Sequence, residues 1–239
     1  MDYALYKGRS YRGVISTGFG YYFAFFHQFF KATWRWALLF SVLFAAWAML
    51  MAVRLPAVTA KVMHEELVAQ VGLQSSTAQQ YLWTAGGIVL LALLCLVAGV
   101  LVAVKVLKRM NLLQKDQQED LPRGWMMVLR QLIRPRYWGL LFMTLLLGGM
   151  ILCILASICC LPAIILAVAH FLAQEGQLNG DPLGMPGYIS SLSAITFFVT
   201  GFILLYLCMP MLMWLYYVYG SAVSFEREKS QLTNLNPPT

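Results

Sequence analysis

The sequence predicts an all-α integral membrane protein with four transmembrane helices and two amphipathic helices at the cytoplasmic interface. Of its 239 residues, 60% are hydrophobic and only 11% are charged, whereas a soluble domain has about 25% charged residues. Four uncharged apolar stretches are each long enough for a membrane crossing, which takes about 20 residues. The basic residues flank these stretches and do not cover a soluble face, so the net charge of +7 does not indicate nucleic-acid binding.

The order of apolar and basic segments predicts five regions. The predicted regions are a basic N-terminal segment with the first amphipathic interfacial helix (1–36), a first transmembrane hairpin (37–104), a basic cytoplasmic loop with the second amphipathic helix (105–136), a second transmembrane hairpin (137–225) and a cytoplasmic tail (226–239).

Aromatic residues at helical spacing predict the first interfacial helix. Phe23, Phe26 and Phe30 recur on one face, and a basic-aromatic hinge with Trp34 and Trp36 follows them. Phenylalanine at this density would otherwise form an exposed apolar patch. We therefore expect this face to lie in the cytoplasmic interface near anionic headgroups, with packing on the protein itself as the alternative.

A second segment has the same pattern. Trp125 begins an apolar stripe that is opposed by Arg130 and Arg134, and a hinge ending at Trp138 leads into the third span. Both halves enter the membrane from the same side, which predicts a parallel internal repeat. The alternative is that any helix hairpin needs basic-aromatic anchors.

The last two apolar stretches are too long for a simple crossing, and each contains a proline, Pro162 or Pro210. A proline beyond the span predicts a kink, after which the remainder lies along the interface. Trp214 and Tyr217 would then form part of an aromatic girdle at headgroup depth. A longer, tilted helix that runs on into the cytoplasm is the alternative.

The basic residues predict the orientation. Fifteen of the 17 Lys and Arg residues lie in the N-terminal segment, the middle loop or the tail. The positive-inside rule assigns these segments to the cytoplasm. We therefore expect a multi-pass protein of the inner (cytoplasmic) membrane with both termini in the cytoplasm.

No catalytic, cofactor-binding or metal-binding constellation is visible in the sequence. The run His64-Glu65-Glu66 fails the zinc-protease pattern because Val68 stands where the second histidine is needed. The spans contain no charged residue, which weighs against proton-coupled or sodium-coupled transport. Three acidic residues of the middle loop could bind a metal–phosphate substrate, although a solvated connector explains them as well; they are Asp116, Glu119 and Asp120.

Small and hydroxyl residues within the spans predict helix packing. Gly149, Cys153 and Ser157 form a small-residue ladder in the third span, where close helix contact is possible. Hydroxyl side chains share one face of the fourth span; they are Ser193, Thr196 and Thr200. A polar path for a neutral or lipid-like substrate is the alternative interpretation of this second group.

The leading hypothesis is a non-enzymatic scaffold or accessory subunit of a membrane complex. Its partners would be the bilayer with anionic headgroups on the cytoplasmic side and either another membrane protein or further copies of the same chain. A permease or pore for a neutral or lipid-like molecule is the alternative function. An enzyme acting on lipid headgroups through the middle loop is a third.

Overall fold

A computed structural model describes residues 3–56, 75–114, 121–122, 124–178 and 186–235. All regular secondary structure within these ranges is helical, which confirms the predicted all-α class. In chain order the elements are α1 (Tyr11–Met49), a π-helical turn (Leu50–Arg54), α2 (Ser75–Gln114), α3 (Trp125–Leu132), a 3-10 turn (Pro135–Tyr137), α4 (Trp138–Leu178) and α5 (Gly187–Leu235).

Four segments of the described ranges are long and apolar enough to cross a membrane, as the sequence predicts. They contain 44, 33, 37 and 45 residues. About 20 residues are sufficient for the hydrocarbon core, so each segment must tilt or extend beyond it. The four segments are Tyr11–Arg54, Leu82–Gln114, Trp138–Gln174 and Gly187–Gln231.

Helix α1 is continuous through the hinge that was predicted to separate an interfacial helix from the first span. The hinge contains neither glycine nor proline, so nothing in it interrupts the backbone hydrogen bonds. The hydroxyl of Thr33 donates to the carbonyl of Phe29 at 2.8 Å, within the same helix. The first 36 residues therefore do not form a separate helical element, and α1 begins at Tyr11.

The corresponding segment of the second half is interrupted. Helix α3 ends at Leu132, and a 3-10 turn that starts at Pro135 precedes α4. Proline removes a backbone donor and disfavours helical geometry in the residue before it. Val128 and Leu132 of α3 are buried, whereas Met126 is 82% exposed. Because the two halves differ here, the internal repeat remains a prediction.

Pro162 and Pro210 lie inside continuous helices. The helix continues past each proline, as the alternative of a longer helix requires. Each proline removes one hydrogen bond from a helix of 41 or 49 residues, and the turns on either side continue it. Helix α4 also includes His170.

Several sequence features lie outside the described residues. They are the run His64-Glu65-Glu66 and the acidic residues of the middle loop, Asp116, Glu119 and Asp120.

The chain divides into two compact units, and each of α1, α2, α4 and α5 contributes to both. Among the 17 Lys and Arg residues, only Arg35, Arg54 and Lys61 fall within the ranges of the second unit. The first unit comprises Met1–Trp34, Leu101–Ala156 and Tyr206–Thr239, and the second comprises Arg35–Val100 and Ser157–Leu205.

The second unit is held together by a close helix contact and a bond at the π-helical turn. A side-chain carbon at Gly201 would lie 2.6 Å from the ring of Phe44, so α5 packs closely against α1 there. The amide of Gln174 donates to the carbonyl of Val53 at 2.7 Å. A π-helical turn displaces backbone carbonyls from the regular helical ladder, and Gln174 supplies a donor at this position.

Candidate functional site

The aromatic residues predicted for the membrane interface on α1 lie mainly on its outer surface. Phe23 is 71% exposed, and Phe26, Phe30 and Trp34 are also exposed. Trp36 is half-buried. The rings of Phe26 and Phe30 contact Tyr206 of α5, with centroids 6.0 and 5.4 Å apart. Phe26 and Phe30 therefore contact the protein along one edge of each ring and are otherwise exposed. The position of these aromatic side chains in a membrane stays a prediction.

The two predicted tryptophans around α3 hold this helix in place. The indole nitrogen of Trp125 donates to the carbonyl of Ala103 in α2 at 2.7 Å. The indole nitrogen of Trp138 donates to the carbonyl of Ile133 at 2.9 Å, while the Trp138 side chain is 58% exposed. Trp125 thus links α3 to α2, and Trp138 links the start of α4 to the end of α3.

Trp214 and Tyr217, which were predicted to face the headgroups, are enclosed by the first unit, and both are 0% exposed. The indole of Trp214 lies between two glycines on different helices, Gly18 of α1 and Gly148 of α4. A side-chain carbon at Gly148 would lie 2.7 Å from Cε3 and Cη2 of the indole, and one at Gly18 would lie 3.0 Å from Nε1. Trp214 therefore fills a space that only glycine leaves open on both sides.

The N-terminal segment before α1 packs against α2 and α5. The carbonyl of Tyr3 accepts hydrogen bonds from Gln114 at 2.8 Å and from the hydroxyl of Tyr217 at 3.3 Å. A side-chain carbon at Gly220 would overlap the carbonyl oxygen of Leu5. Gly220 thus provides the close approach that this segment needs.

A second polar connection joins α5 to the segment that follows α2. The hydroxyl of Tyr216 donates to the Asn111 side chain at 3.0 Å. The amide of Asn111 donates to the carbonyl of Pro122 at 2.7 Å. Since Tyr216 is 0% exposed, this bond satisfies its buried hydroxyl.

The predicted small-residue ladder of α4 lies off the surface that α4 buries in the first unit. Gly148, one residue earlier, forms the close contact with Trp214, whereas a side-chain carbon at Gly149 would meet nothing within 4 Å. Cys153 and Ser157 are exposed. The structure therefore assigns no helix contact within this chain to Gly149.

The predicted hydroxyl face of α5 is largely buried in the second unit. Ser193 is 0% and Thr200 5% exposed, and the hydroxyl of Thr196 donates to the carbonyl of Leu192. The hydroxyl of Ser193 lies 2.8 Å from Nε2 of His170 and donates to the carbonyl of Ile189, also at 2.8 Å.

The contact between Ser193 and His170 links two spans within the second unit, and the tautomer of His170 determines which of the two side chains donates. The pair joins α4 to α5, which neither span indicates by its own residue pattern.

A basic cavity of about 630 Å³ opens on the first unit. It combines three cations with one carboxylate, and its remaining lining is aromatic or aliphatic. Burial, followed by the negative charge of Glu226, raises the pKa of Tyr137 in this lining, so its hydroxyl stays protonated at neutral pH. The cavity is lined by Arg9, Arg136, Tyr137, Leu140, Phe225, Glu228 and Lys229.

No group of three or more potential metal ligands occurs within the ranges that the structure describes. Comparison of the chain with protein-family models, with curated proteins and with solved structures finds no match. The roles assigned to individual residues therefore rest on the contacts of this chain alone.

The sequence analysis missed the close contacts that glycines make in the first unit. Gly18, Gly148 and Gly220 each lie opposite a bulky or backbone group. The sequence feature that indicates such a contact is a glycine inside a long apolar helix. Glycine destabilises a helix, so its presence there suggests that a neighbour packs closely against it. The sequence does not show which of several such glycines has a neighbour.

Proposed function

We propose that this protein is a non-enzymatic accessory or scaffold subunit of a membrane complex and that α4 supplies its main contact face. One observation supports this proposal above the others. Only 6% of the most apolar window of α4 is buried inside the protein, compared with 11% for α1, 11% for α2 and 33% for α5. Helix α4 is therefore the span with most of its surface left for lipid or for another chain.

The residues on this open surface favour another chain over lipid. Phe142, Gly149 and Cys153 share one face of α4, at spacings of seven and four residues. Small residues let helix backbones approach closely, which strengthens van der Waals packing in a membrane. Within this chain, glycines serve that purpose at Gly148 and at Gly201. A helix of a partner, or of a second copy, can use Gly149 in the same way.

We further propose that the protein lies in the inner (cytoplasmic) membrane with both termini in the cytoplasm. The supporting observation is the concentration of Lys and Arg residues in the ranges of the first unit, which contains both termini and the segment between α2 and α4. Basic residues at the cytoplasmic ends of spans are the strongest determinant of orientation.

Site-specific photocrosslinking in native membranes tests the contact face. A photoreactive phenylalanine analogue replaces Phe142 on the proposed face, and the same analogue replaces Leu96 of α2 as the matched control. Both side chains are 63% exposed, so their access to lipid is comparable. We expect a protein adduct of defined mass from position 142 and none from position 96.

The adduct also identifies the kind of partner. A product of twice the chain mass indicates a homo-oligomer, and any other discrete mass indicates a different subunit. Lipid adducts alone at both positions would contradict the proposal, because α4 would then face only the bilayer.

A further inference from the structure

We propose that the first unit binds one anionic phospholipid, with the phosphate-bearing headgroup in the basic cavity and an acyl chain in a groove between α1 and α4. This site is independent of the proposed subunit role, since it uses a different face of α4.

The charges around the cavity favour a phosphate group. Arg9, Arg136 and Lys229 face it, with Glu228 as the single carboxylate in its lining. Glu226, whose negative charge acts on Tyr137 in the lining, is itself paired with Arg134 at 2.6 Å. The excess of positive charge beside the neutral hydroxyl of Tyr137 suits an anion of one or two charges.

Arg9 is held in position before any ligand arrives. Its guanidinium donates to the carbonyl of Ala4 at 2.7 Å and lies over the ring of Tyr217 at 5.1 Å from the centroid. An arginine fixed in this way loses little side-chain entropy when it binds a phosphate oxygen.

An apolar groove of about 440 Å³ lies between α1 and α4. Ile15 of α1 faces Leu147, Ile151 and Ile154 of α4 across it, and Arg12 stands in its lining. Arg9 comes just before α1, and Arg136 just before α4, so both cations lie where these helices begin. From Leu140 in the cavity to Leu147 in the groove is seven residues, or about 10 Å along a helix.

A charged cavity followed by an apolar groove along α4 suits a phospholipid better than a soluble phosphate compound. A soluble phosphate needs only the cations, and the groove would then have no role. A neutral phospholipid could use the groove but would not benefit from the excess positive charge. The order of the two sites also places the headgroup beside the first residues of α4 and the acyl chain further along this helix.

Native mass spectrometry of the purified full chain in neutral detergent tests the site. The probes are dioleoylphosphatidylglycerol, dioleoylphosphatidylcholine and free glycerol phosphate. We expect one phosphatidylglycerol per chain, with clearly weaker binding of the other two. In the double variant Arg136→Gln, Lys229→Gln, phosphatidylglycerol binding should weaken by about 25-fold, from about fivefold per basic residue. The matched control is Arg130→Gln, an exposed arginine of α3 outside the cavity lining.

Arg9 is left unchanged because it also holds the N-terminal segment. A second variant, Ile151→Trp, fills the groove and keeps every charge of the cavity. We expect it to weaken phosphatidylglycerol binding and leave the binding of glycerol phosphate unchanged, even if the charge variant does not fold. Equal binding of phosphatidylglycerol and glycerol phosphate by the wild type would overturn the proposal in favour of a soluble phosphate site. Equal binding of phosphatidylglycerol and phosphatidylcholine would show a non-selective lipid surface and overturn it too.

Discussion

Substitution of Gly148 by alanine should destabilise the first unit, whereas the same substitution at Gly149 should not. The two glycines are neighbours on α4 and differ in what a methyl group would meet. At Gly148 it would lie 2.7 Å from two carbons of the Trp214 indole, and at Gly149 it would meet nothing within 4 Å. The indole is 0% exposed and has Gly18 at its opposite edge, so it cannot move aside without a second clash.

These contacts set the expected magnitude. Overpacking a rigid, buried site costs up to about 3 kcal/mol, and alanine recovers about 1 kcal/mol in helix backbone stability relative to glycine. Gly148→Ala should therefore lower the free energy of unfolding by about 2 kcal/mol. Gly149→Ala should raise it by up to about 1 kcal/mol.

The unfolding equilibrium in mixed micelles with a rising fraction of SDS measures this difference. The double variant Gly148→Ala, Trp214→Phe provides a further control, because a smaller ring relieves the clash. Its destabilisation should be less than the sum of the two single effects. Equal stabilities of the Gly148→Ala and Gly149→Ala proteins would refute the packing of Trp214 described above.

Two further predictions concern the first unit. Gly220→Ala should displace the N-terminal segment, because the new methyl group would overlap the backbone oxygen of Leu5; limited trypsin digestion of that segment should become at least about tenfold faster, equivalent to ~1.4 kcal/mol. Unchanged digestion would show that the segment adjusts without leaving its site. Glu226→Gln removes the 2.6 Å ion pair with Arg134. The side chain of Glu226 is 38% exposed and that of Arg134 is 58% exposed. The substitution should therefore lower the free energy of unfolding by less than about 1 kcal/mol, with a smaller effect at high salt; a larger loss that salt does not reduce would contradict this.

The membrane spans could be predicted from the sequence because hydropathy is a local property of composition. Each of the four uncharged stretches lies in a helix long enough to cross a membrane. The ends of the helices were harder to predict. Nothing in the sequence between Lys31 and Trp36 distinguishes a hinge from a continuous helix, whereas Pro135 does interrupt the corresponding segment. Pro162 and Pro210 are accommodated because long helices continue on both sides of them.

Composition could not predict which aromatic side chains are exposed and which are buried in the protein. Aromatic residues are favoured both at membrane interfaces and in packed cores. Phe23 and Trp138 are exposed, but Trp214 and Tyr217 are buried. Their burial depends on neighbours that are distant in sequence, such as Tyr3 and Gly148.

The packing prediction for the third span shows the same limit at the level of one residue. A small-residue pattern indicates that close contact is possible, but it does not say which face has a neighbour. The position of Trp214 on α5 selects Gly148 and leaves Gly149 open. For the pair of Ser193 and His170, the contact joins residues 23 positions apart, which no periodicity within one helix reveals.

Extraction of the protein from native membranes in a mild detergent, followed by mass spectrometry of the intact particles, tests the central claim most directly. The proposed subunit role predicts a defined complex that contains this chain in fixed stoichiometry with a second protein or with further copies of itself. Phe142→Ala should weaken that complex, and Leu96→Ala should leave it unchanged. A monomeric protein that carries only lipid, under conditions that preserve other membrane complexes, would contradict the account.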